Sequence, residues 1–410
     1  MKELRPTLLA FVHFFLIISS YYIIKPVRDA LFVKTIGPDR MPPFYLVVAG
    51  VVLVVVMLYN RVIRALDTRR FTVYLQGLVA LNILVFWWLM WSTDLRLSVS
   101  FYIWASVYNV LMVSVFWSLT NDTFDAARGR RLYGVIGGGG IVGGIVGGLV
   151  ARYLPLTVGI THCLLVAGLL VVAAVAVTLL RLADHAARAS VPVPRAPAGR
   201  SGEAGIARHA DTWRDLTLAL TDRHVRLIAA IVFFVTVGKT FFNYHYYHVV
   251  DATISGTERA ASFFGTVSVA TNASSALLQF LVTTLVLRRF GARAGLLFLP
   301  STLLVAMGTL LLSPGLVICA ALNVAQQSTS YSINQSSKEL LYTPCSEQVK
   351  YRTKAVIDMF VFRFGDAFAA LVLLLLHTRL GLPPWTSLVA GLACVVYWLA
   401  MVIRAEDPTV

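Results

Sequence analysis

Lys239 is a cationic side chain in the middle of an apolar stretch of the sequence. It lies about twelve residues into the stretch 224–248, and at about 1.5 Å per helical residue that depth is near the centre of a bilayer core of about 30 Å. A charge there costs at least about 2.5–3.5 kcal/mol unless a cavity or a partner receives it. Two interpretations follow: Lys239 anchors an anion in a water-filled cavity, or it pairs with a buried acid for packing.

Polar side chains follow Lys239 on the same predicted helix. Asn243 comes four residues later and therefore lies on the same face. Tyr244 and His245 come next, and both carry groups that form hydrogen bonds. We expect these three side chains to bind a polar solute beside Lys239. The alternative for His245 is a position in an interfacial aromatic belt.

An arginine and a carboxylate occur together in a second apolar stretch, 354–376. Arg363 precedes Asp366 by three residues, a spacing that permits an ion pair within one helix. The alternative is that Arg363 faces a cavity, where its planar fork suits a phosphate or a carboxylate.

Two more basic residues lie in the first apolar stretch, in the string YYIIKPVRDALFV. Lys25 and Arg28 either extend their charged ends to the membrane interface or face the same cavity. In the second case four basic side chains give a positive cavity that concentrates anions. These cavity residues would be Lys25, Arg28, Lys239 and Arg363.

The composition requires a bilayer as the solvent for most of the chain. Apolar residues make up 58% of the sequence, charged residues make up 13%, and the mean hydropathy is +0.76, whereas soluble domains carry about 25% charged residues. The sequence therefore predicts an all-α membrane protein of about twelve spans. They are 7–31, 43–65, 71–92, 98–119, 132–153, 157–181, 224–248, 260–286, 293–313, 315–335, 354–376 and 384–403.

The basic residues are distributed unequally between the loops that join these spans. With both termini on the cytoplasmic side, 23 Lys and Arg fall inside and six fall outside, out of 35 in the chain. This is the asymmetry that membrane insertion imposes, and it predicts a multi-pass protein of a bacterial inner membrane. Because the net charge of +15 sits in these short loops, we expect no nucleic-acid partner.

A polar segment divides the chain into two halves. Residues 182–222 are rich in Pro, Gly and Arg and lack apolar periodicity, which indicates a cytoplasmic linker. Six spans precede it in 1–181 and six follow it in 223–410. Basic loops recur at equivalent positions in both halves, which predicts two pseudo-symmetric six-helix halves of the major-facilitator type.

A glycine-rich string, GGGGIVGGIVGG, lies inside the fifth predicted span. Gly140, Gly144 and Gly148 recur every four residues and so form a stripe on one helix face. Small residues on a stripe allow two membrane helices to approach closely. The stripe serves either static packing or a surface that slides during transport.

Charged residues cluster after the fourth and tenth spans. One interpretation is solvated loops; the other is a network of salt bridges that closes the cytoplasmic side. Single surface ion pairs contribute only about 0–1 kcal/mol, so only a network would act as a gate. Including one acid near the end of the first span, the candidate gate residues are Asp29, Asn121, Asp122, Asp125, Arg131, Lys338, Glu339, Lys350, Lys354 and Asp358.

Two segments resemble the ATP/ADP translocases of plastids and obligate intracellular bacteria. YYIIKPVRDALFV is similar to that family's helix 1 string, NYTILR-D-x-K-D-x-L, with Lys25 in place of an arginine, Arg28 in place of a lysine, and Asp29 and Leu31 as direct matches. RRLYGVIGGGG is similar to the family's KRFYALFGLGAN.

The other segment, KELLYTPCSEQVKYRTKAVIDMF at 338–360, resembles the family's KEMAYIPLDEDLKVKGKAAIDV. The matching residues are Lys338, Glu339, Tyr342, Pro344, Glu347, Lys350, Lys354, Ala355, Ile357 and Asp358. The resemblance implies a twelve-helix nucleotide exchanger in which Arg28 and the lysines of 350–354 help to bind phosphates. The chain departs from the family in helix 7, where VTVGKTFFNYHYY lacks the acid that precedes the family's WK.

These observations predict a secondary transporter of a polar anionic solute, and the resemblance implies ATP/ADP exchange. The alternatives are a major-facilitator transporter of another solute, such as a siderophore, a carboxylate or a phosphorylated metabolite, and a non-transporting scaffold or lipid scramblase. The sequence contains no HExxH, GxSxG or metal-ligand spacing, so we expect no enzyme activity, no metal and no cofactor. The expected partners are a small anionic substrate and the lipid bilayer, and the expected state is a monomer.

Overall fold

The computed structural model describes residues 4–65, 67–91, 94–124, 126–189, 223–343 and 357–404. In these ranges the regular secondary structure is helical. The α-helices are α1 Leu4–Leu31, α2 Met41–Ala65, α3 Thr68–Leu89, α4 Leu95–Thr123, α5 Ala126–Val158, α6 Ile160–Ala189, α7 Arg223–Thr253, α8 Thr257–Leu277, α9 Thr284–Leu312, α10 Leu316–Thr329, α11 Gln335–Leu341, α12 Phe362–Leu373 and α13 Thr386–Arg404.

Within the described ranges, nine helical stretches are long and apolar enough to cross a membrane. The stretch Thr257–Leu312 spans 56 residues and bends at Gly291, whose φ is 73°. Only glycine adopts this left-handed conformation at no steric cost, so the bend separates the predicted spans 260–286 and 293–313. The predicted spans 315–335 and 354–376 also correspond to helical chain, at α10–α11 and around α12. Within the described ranges each predicted span therefore corresponds to helical chain, and an all-α membrane protein is confirmed.

π-helical turns interrupt several of these helices. Each adds one residue to a helical turn, breaks the regular ladder of hydrogen bonds and often marks a functional position. They are Phe32–Ile36, Leu278–Thr283, Ser330–Asn334, Ile357–Val361 and Leu374–Arg379.

Large apolar side chains are exposed along the helices. Leu312, Val317 and Phe280 are 89%, 81% and 71% exposed. A surface of this kind is unfavourable in water and favourable against lipid chains. Together with the nine apolar stretches, it identifies a multi-pass membrane protein.

The chain forms two compact units. The first comprises Met1–Pro38, Gly50–Pro192 and Val250–Ala273, and the second comprises Asp39–Ala49, Val193–Val249 and Ser274–Val410. In the first unit α1 packs along α4, α5 and α6, and α3 packs on α6. In the second unit α9 packs on α10, α11 and α13.

The glycines of α5 allow close helix packing on two faces within the first unit. A Cβ atom on Gly139 or Gly143 would lie 2.5 or 2.6 Å from the carbonyl oxygen of Phe11 or Phe15 on α1. On the adjacent face, a Cβ on Gly140 would lie 2.5 Å from the Phe14 ring. Both faces of α5 therefore need glycine at these positions.

Further along α5, the stripe of Gly140, Gly144 and Gly148 packs against α8. A Cβ on Gly144 would lie 2.5 Å from Asn272 Oδ1, and one on Gly148 would lie 2.8 Å from Val269 Cγ2. The close approach is mutual, because a Cβ on Gly265 of α8 would lie 2.6 Å from the backbone of Ala151. The stripe Gly140, Gly144 and Gly148 thus faces α1 at one end and α8 at the other.

Candidate functional site

Lys239 lies in the second unit, where α7 faces a π-helical turn. Its Nζ donates to Ser330 Oγ at 3.3 Å and lies 5.3 Å from the centre of the Tyr331 ring. Both partners belong to the turn Ser330–Asn334. The extra residue of a π-helical turn shifts the side chains that follow it around the helix, and this turn presents a hydroxyl and an aromatic face to the cation.

The second cation of this unit, Arg363, lies on α12 beside Asp366. Arg363 Nη1 donates to Asp366 Oδ2 at 3.4 Å, and Thr240 Oγ1 donates to Asp366 Oδ1 at 3.4 Å. Thr240 directly follows Lys239, whose charge also acts on the Asp366 carboxylate. Lys239, Arg363 and Asp366, with Thr240, Ser330 and Tyr331, therefore form one group of side chains, which we call the α7–α12 cluster.

The α7–α12 cluster has two cations and one carboxylate, so it is positive overall. The side chains of Arg363 and Asp366 are 23% and 15% exposed. An arginine has five N–H donors, yet the structure gives Arg363 one hydrogen bond, at a long distance. Among the described residues its other donors have no partner, and a phosphate or carboxylate is the kind of group that a guanidinium fork binds in a bidentate manner.

The other predicted binding residues of α7 occupy two different environments. Asn243 is partly exposed, and among the described residues its amide has no hydrogen-bond partner. Tyr244 is fully buried, with its ring 4.6 Å from that of His248 and 4.5 Å from that of His377. His245 is also buried, at 7% exposure. Of these residues, Asn243 has the environment most suited to a solute.

The predicted basic residues of α1 lie in the first unit. Arg28 donates through Nε and Nη2 to Asp29 Oδ1 at 2.8 and 2.6 Å, and its guanidinium lies 5.2 Å from the centre of the Tyr102 ring. Lys25 Nζ lies 5.8 Å from the centre of the Tyr22 ring. Lys25 and Arg28 therefore each rest on an aromatic face, a favourable electrostatic contact.

The candidate gate residues are only partly covered by the described ranges. Asn121 is exposed and accepts a hydrogen bond from Tyr133 Oη at 2.9 Å, and Glu339 accepts one from Gln335 at 3.2 Å. Asp122 is exposed and Lys338 is partly buried. Asp125, Lys350 and Lys354 lie outside the described residues. Arg131 and Asp358 lie in helical backbone whose side chains are not described.

Thr240, Ser330 and Tyr331 were not among the residues singled out from the sequence. The available signal is the polar string QQSTSYSINQSS at 326–337, most of which lies in the predicted span 315–335 and which is unusual for a lipid-facing helix. Its periodicity could not reveal which residue would face Lys239, because the π-helical turn changes the register. The described residues include no group of three or more His, Cys, Asp or Glu placed to hold a metal ion.

Solved structures of membrane transporters are similar to this chain in shape. An auto-inhibited peptide transporter of the POT family superposes with a TM-score of 0.67 at 10% identity, covering 98% of this chain and 97% of that one. A bacterial homologue of the iron transporter ferroportin, in an inward-facing state, gives a TM-score of 0.65 at 14% identity, covering 98% of both chains. These similarities confirm the predicted major-facilitator-like fold.

Sequence comparison identifies the family. A curated relative, ADP,ATP carrier protein 1 of Chlamydia muridarum, is 28% identical over 163 residues, covering 34% of this chain and 31% of the relative. The aligned chain thus spans about a third of the length of the curated relatives that it matches. The sequence profile of the TLC ATP/ADP transporter family matches residues 76–313 and 302–406, which together exceed half of the chain. The chain therefore belongs to the TLC ATP/ADP transporter family.

Proposed function

We propose that this protein is a secondary transporter that exchanges adenine nucleotides, ATP against ADP, across the membrane. The family match supports transport of a nucleotide, and the major-facilitator-like fold supports movement by alternating access. The observation that carries the proposal is the α7–α12 cluster, a positive group of side chains inside a membrane protein in which Arg363 makes one hydrogen bond to the described residues.

In this proposal the α7–α12 cluster binds the phosphates. Lys239 contributes a compact charge, and Arg363 contributes a planar fork that fits two phosphate oxygens. Asp366 holds Arg363 when no substrate is bound and competes with the phosphate when one arrives. The competition keeps binding weak enough for release, which a transporter requires. Tyr331, at 46% exposure, offers a ring on which an adenine base can stack.

Lys25 and Arg28 form a second positive group, on α1 of the first unit. Arg28 is pre-oriented by Asp29, so we propose that it contacts an anionic group of the substrate during part of the transport cycle. The salt-bridge gate formed by the loops after the fourth and tenth predicted spans is a further part of this proposal.

We also propose that the protein is a monomer in a bacterial inner membrane with both termini in the cytoplasm. The excess of Lys and Arg in the loops assigned to that side supports this orientation. Reporter fusions at the C terminus test it: a cytoplasm-dependent reporter is expected to be active and a periplasm-dependent one inactive.

Uptake by reconstituted protein tests the function. Proteoliposomes loaded with ADP are expected to take up labelled ATP, and Lys239→Gln is expected to raise the KM about tenfold or more, since a hydrogen bond to a charged group contributes about 1.5–3 kcal/mol. Arg96→Gln is the matched control, because Arg96 is exposed at the start of α4. Uptake of a siderophore or a carboxylate in place of ATP would overturn the nucleotide assignment, and lipid scrambling without solute uptake would overturn transport.

A further inference from the structure

A buried polar network in the first unit has no part in the proposed nucleotide site. It joins α1, α3, α4 and α6 through side chains that are almost wholly inaccessible. Its members are His13, Gln76, Thr120, Thr178 and Arg181, with exposures of 0%, 0%, 0%, 0% and 5%.

Arg181 is the charged member of the network, and its described partners are neutral. Its Nη1 lies 2.9 Å from His13 Nδ1, its Nη2 donates to Thr120 Oγ1 at 3.2 Å, and its guanidinium carbon lies 5.7 Å from the centre of the Phe116 ring. Its Nε has no hydrogen-bond partner in the described structure. A buried cation without a carboxylate is costly to retain for stability alone, which points to a functional role.

The geometry fixes the protonation state of His13. A guanidinium can only donate, so His13 Nδ1 must accept from Arg181 and cannot carry a proton. Neutral imidazole then has its proton on Nε2, which donates to Thr178 Oγ1 at 3.1 Å. The Gln76 side-chain nitrogen is placed 2.9 Å from the same ring nitrogen, so this tautomer requires the Gln76 amide to be turned so that its oxygen faces the Nε2 proton. Thr178 Oγ1 also lies 2.9 Å from the carbonyl oxygen of Ala174, so the hydroxyl has an acceptor of its own.

A proton on His13 Nδ1 would therefore break the contact with Arg181. Two donors would face each other at the distance of a hydrogen bond, and two positive charges would be in contact without a carboxylate between them. The released guanidinium has a carboxylate within reach on its own helix, because Asp184 follows Arg181 by three residues. Asp184 is at present paired with Arg5 of α1, with 3.6 Å between Arg5 Nε and Asp184 Oδ1.

The charged groups around His13 are few. Along α6 they are Arg181 and Asp184, and on α1 itself the nearest described one is Arg5. The contacts that α3 and α4 make with this network come from Gln76, Phe116 and Thr120, which do not titrate. The described contacts from α5 are glycines packed on Phe11 and Phe14.

We propose that His13 Nδ1 is a proton-binding site and that its occupancy drives substrate movement through Arg181. A proton taken from the aqueous phase at Nδ1 releases Arg181 toward Asp184, and loss of that proton restores the contact shown here. The network thus has two discrete arrangements, which is the requirement for coupling. The coupling rests on the proposed transport function, whereas the proton site does not.

The proton site is tested without any substrate. Nitrogen-15 histidine spectra of the protein in lipid nanodiscs are compared for wild type, His13→Gln and His162→Gln. The signal that only His13→Gln removes is expected to show a proton on Nε2 alone at pH 8 and to convert to imidazolium as the pH is lowered to 5. A His13 signal that is doubly protonated at pH 8, or that does not change down to pH 5, overturns the proposal. Glutamine can accept from Arg181 in place of Nδ1, and His13→Asn is the second variant should His13→Gln fail to fold.

The coupling is tested with labelled ADP in proteoliposomes. An inward proton gradient is expected to speed the uptake of labelled ADP into ADP-loaded vesicles by wild type and by His162→Gln. His13→Gln is expected to lose this response while it still exchanges ADP at equal pH. A gradient response that survives in His13→Gln, or is absent in exchanging wild type, overturns the coupling. If wild type moves no nucleotide, the proposed function fails, and the spectra alone decide the proton site.

Discussion

Lys34 Nζ lies 2.7 Å from both the backbone carbonyl oxygen and Oδ1 of Asp251. Lys34 belongs to the π-helical turn after α1, and Asp251 is near the end of α7, so this double contact fastens two distant parts of the sequence within the first unit. The lysine side chain is 13% exposed and the aspartate side chain 41% exposed. The pair is partly shielded from water, and its contribution should therefore lie at or above the upper end for exposed pairs, about 1 kcal/mol.

The two contacts of Lys34 predict unequal effects of two neutral variants. Lys34→Gln shortens the side chain and removes the charge, so both contacts weaken, whereas Asp251→Asn keeps the backbone carbonyl as an acceptor. Thermal unfolding in detergent is expected to show a larger fall in Tm for Lys34→Gln. An equal or larger fall for Asp251→Asn would contradict this assignment, and Arg96→Gln serves as the control for loss of an exposed charge.

The glycines of α5 predict a sharp contrast between neighbouring alanine variants. A Cβ at position 143 would lie 2.6 Å from a backbone carbonyl oxygen of α1, whereas a Cβ at position 137 meets nothing within 4 Å. Gly143→Ala is expected to destabilise the protein by roughly 1–3 kcal/mol, the usual cost of overpacking. Gly137→Ala is expected to leave the Tm unchanged. Equal Tm values for the two variants would show that α1 and α5 separate at little cost.

We predict that removal of the Asp366 carboxylate gives a variant that binds nucleotide more tightly. Asp366→Asn removes the carboxylate that competes with phosphate for Arg363 and leaves two cations in the α7–α12 cluster. The KM for ADP exchange is expected to fall, and the maximal rate is expected to fall with it, because release becomes slower. Initial rates over a range of ADP concentrations measure both quantities. A rise in KM like that expected for Lys239→Gln would mean that Asp366 positions Arg363 for the substrate.

At position 331 we predict that nucleotide binding needs an aromatic ring and does not need the hydroxyl group. Tyr331→Phe is expected to exchange ADP with a KM close to wild type, whereas Tyr331→Ala is expected to raise the KM about fivefold to a hundredfold, since stacking a base on an aromatic ring contributes about 1–3 kcal/mol. Tyr74→Ala is the control, because Tyr74 is 73% exposed on α3. Similar KM values for Tyr331→Ala and wild type would remove Tyr331 from the site.

The membrane spans could be predicted from the sequence because hydropathy and loop charge depend on local composition. The twelve predicted stretches correspond to helical chain, including the pair that Gly291 separates. Lys239 and Arg363 could be singled out for the same reason. A charged residue within an apolar stretch can be recognised in the sequence before any of its contacts in the structure are known. Their partners on the turn Ser330–Asn334 depend on helix rotation and on a π-helical insertion, neither of which hydropathy reports.

Arg181 shows why the buried network could not be predicted. It stands at the end of the predicted span 157–181, where the sequence pattern groups it with the basic residues of the loop that follows. In the structure α6 continues to Ala189 and Arg181 is only 5% exposed. The loop composition gives no sign of this, because the burial of Arg181 depends on His13 and Thr120, which lie far away in the sequence.

Counter-exchange by the reconstituted wild-type protein tests the central claim most directly. Proteoliposomes that contain ATP, ADP or no nucleotide are given labelled ADP outside at equal pH on both sides. The predicted result is rapid uptake only where nucleotide is present inside, with one labelled ADP entering for each nucleotide that leaves. Equal uptake into empty and loaded vesicles, or no uptake by folded protein in either, would contradict nucleotide exchange and leave the family match as evidence for the fold alone.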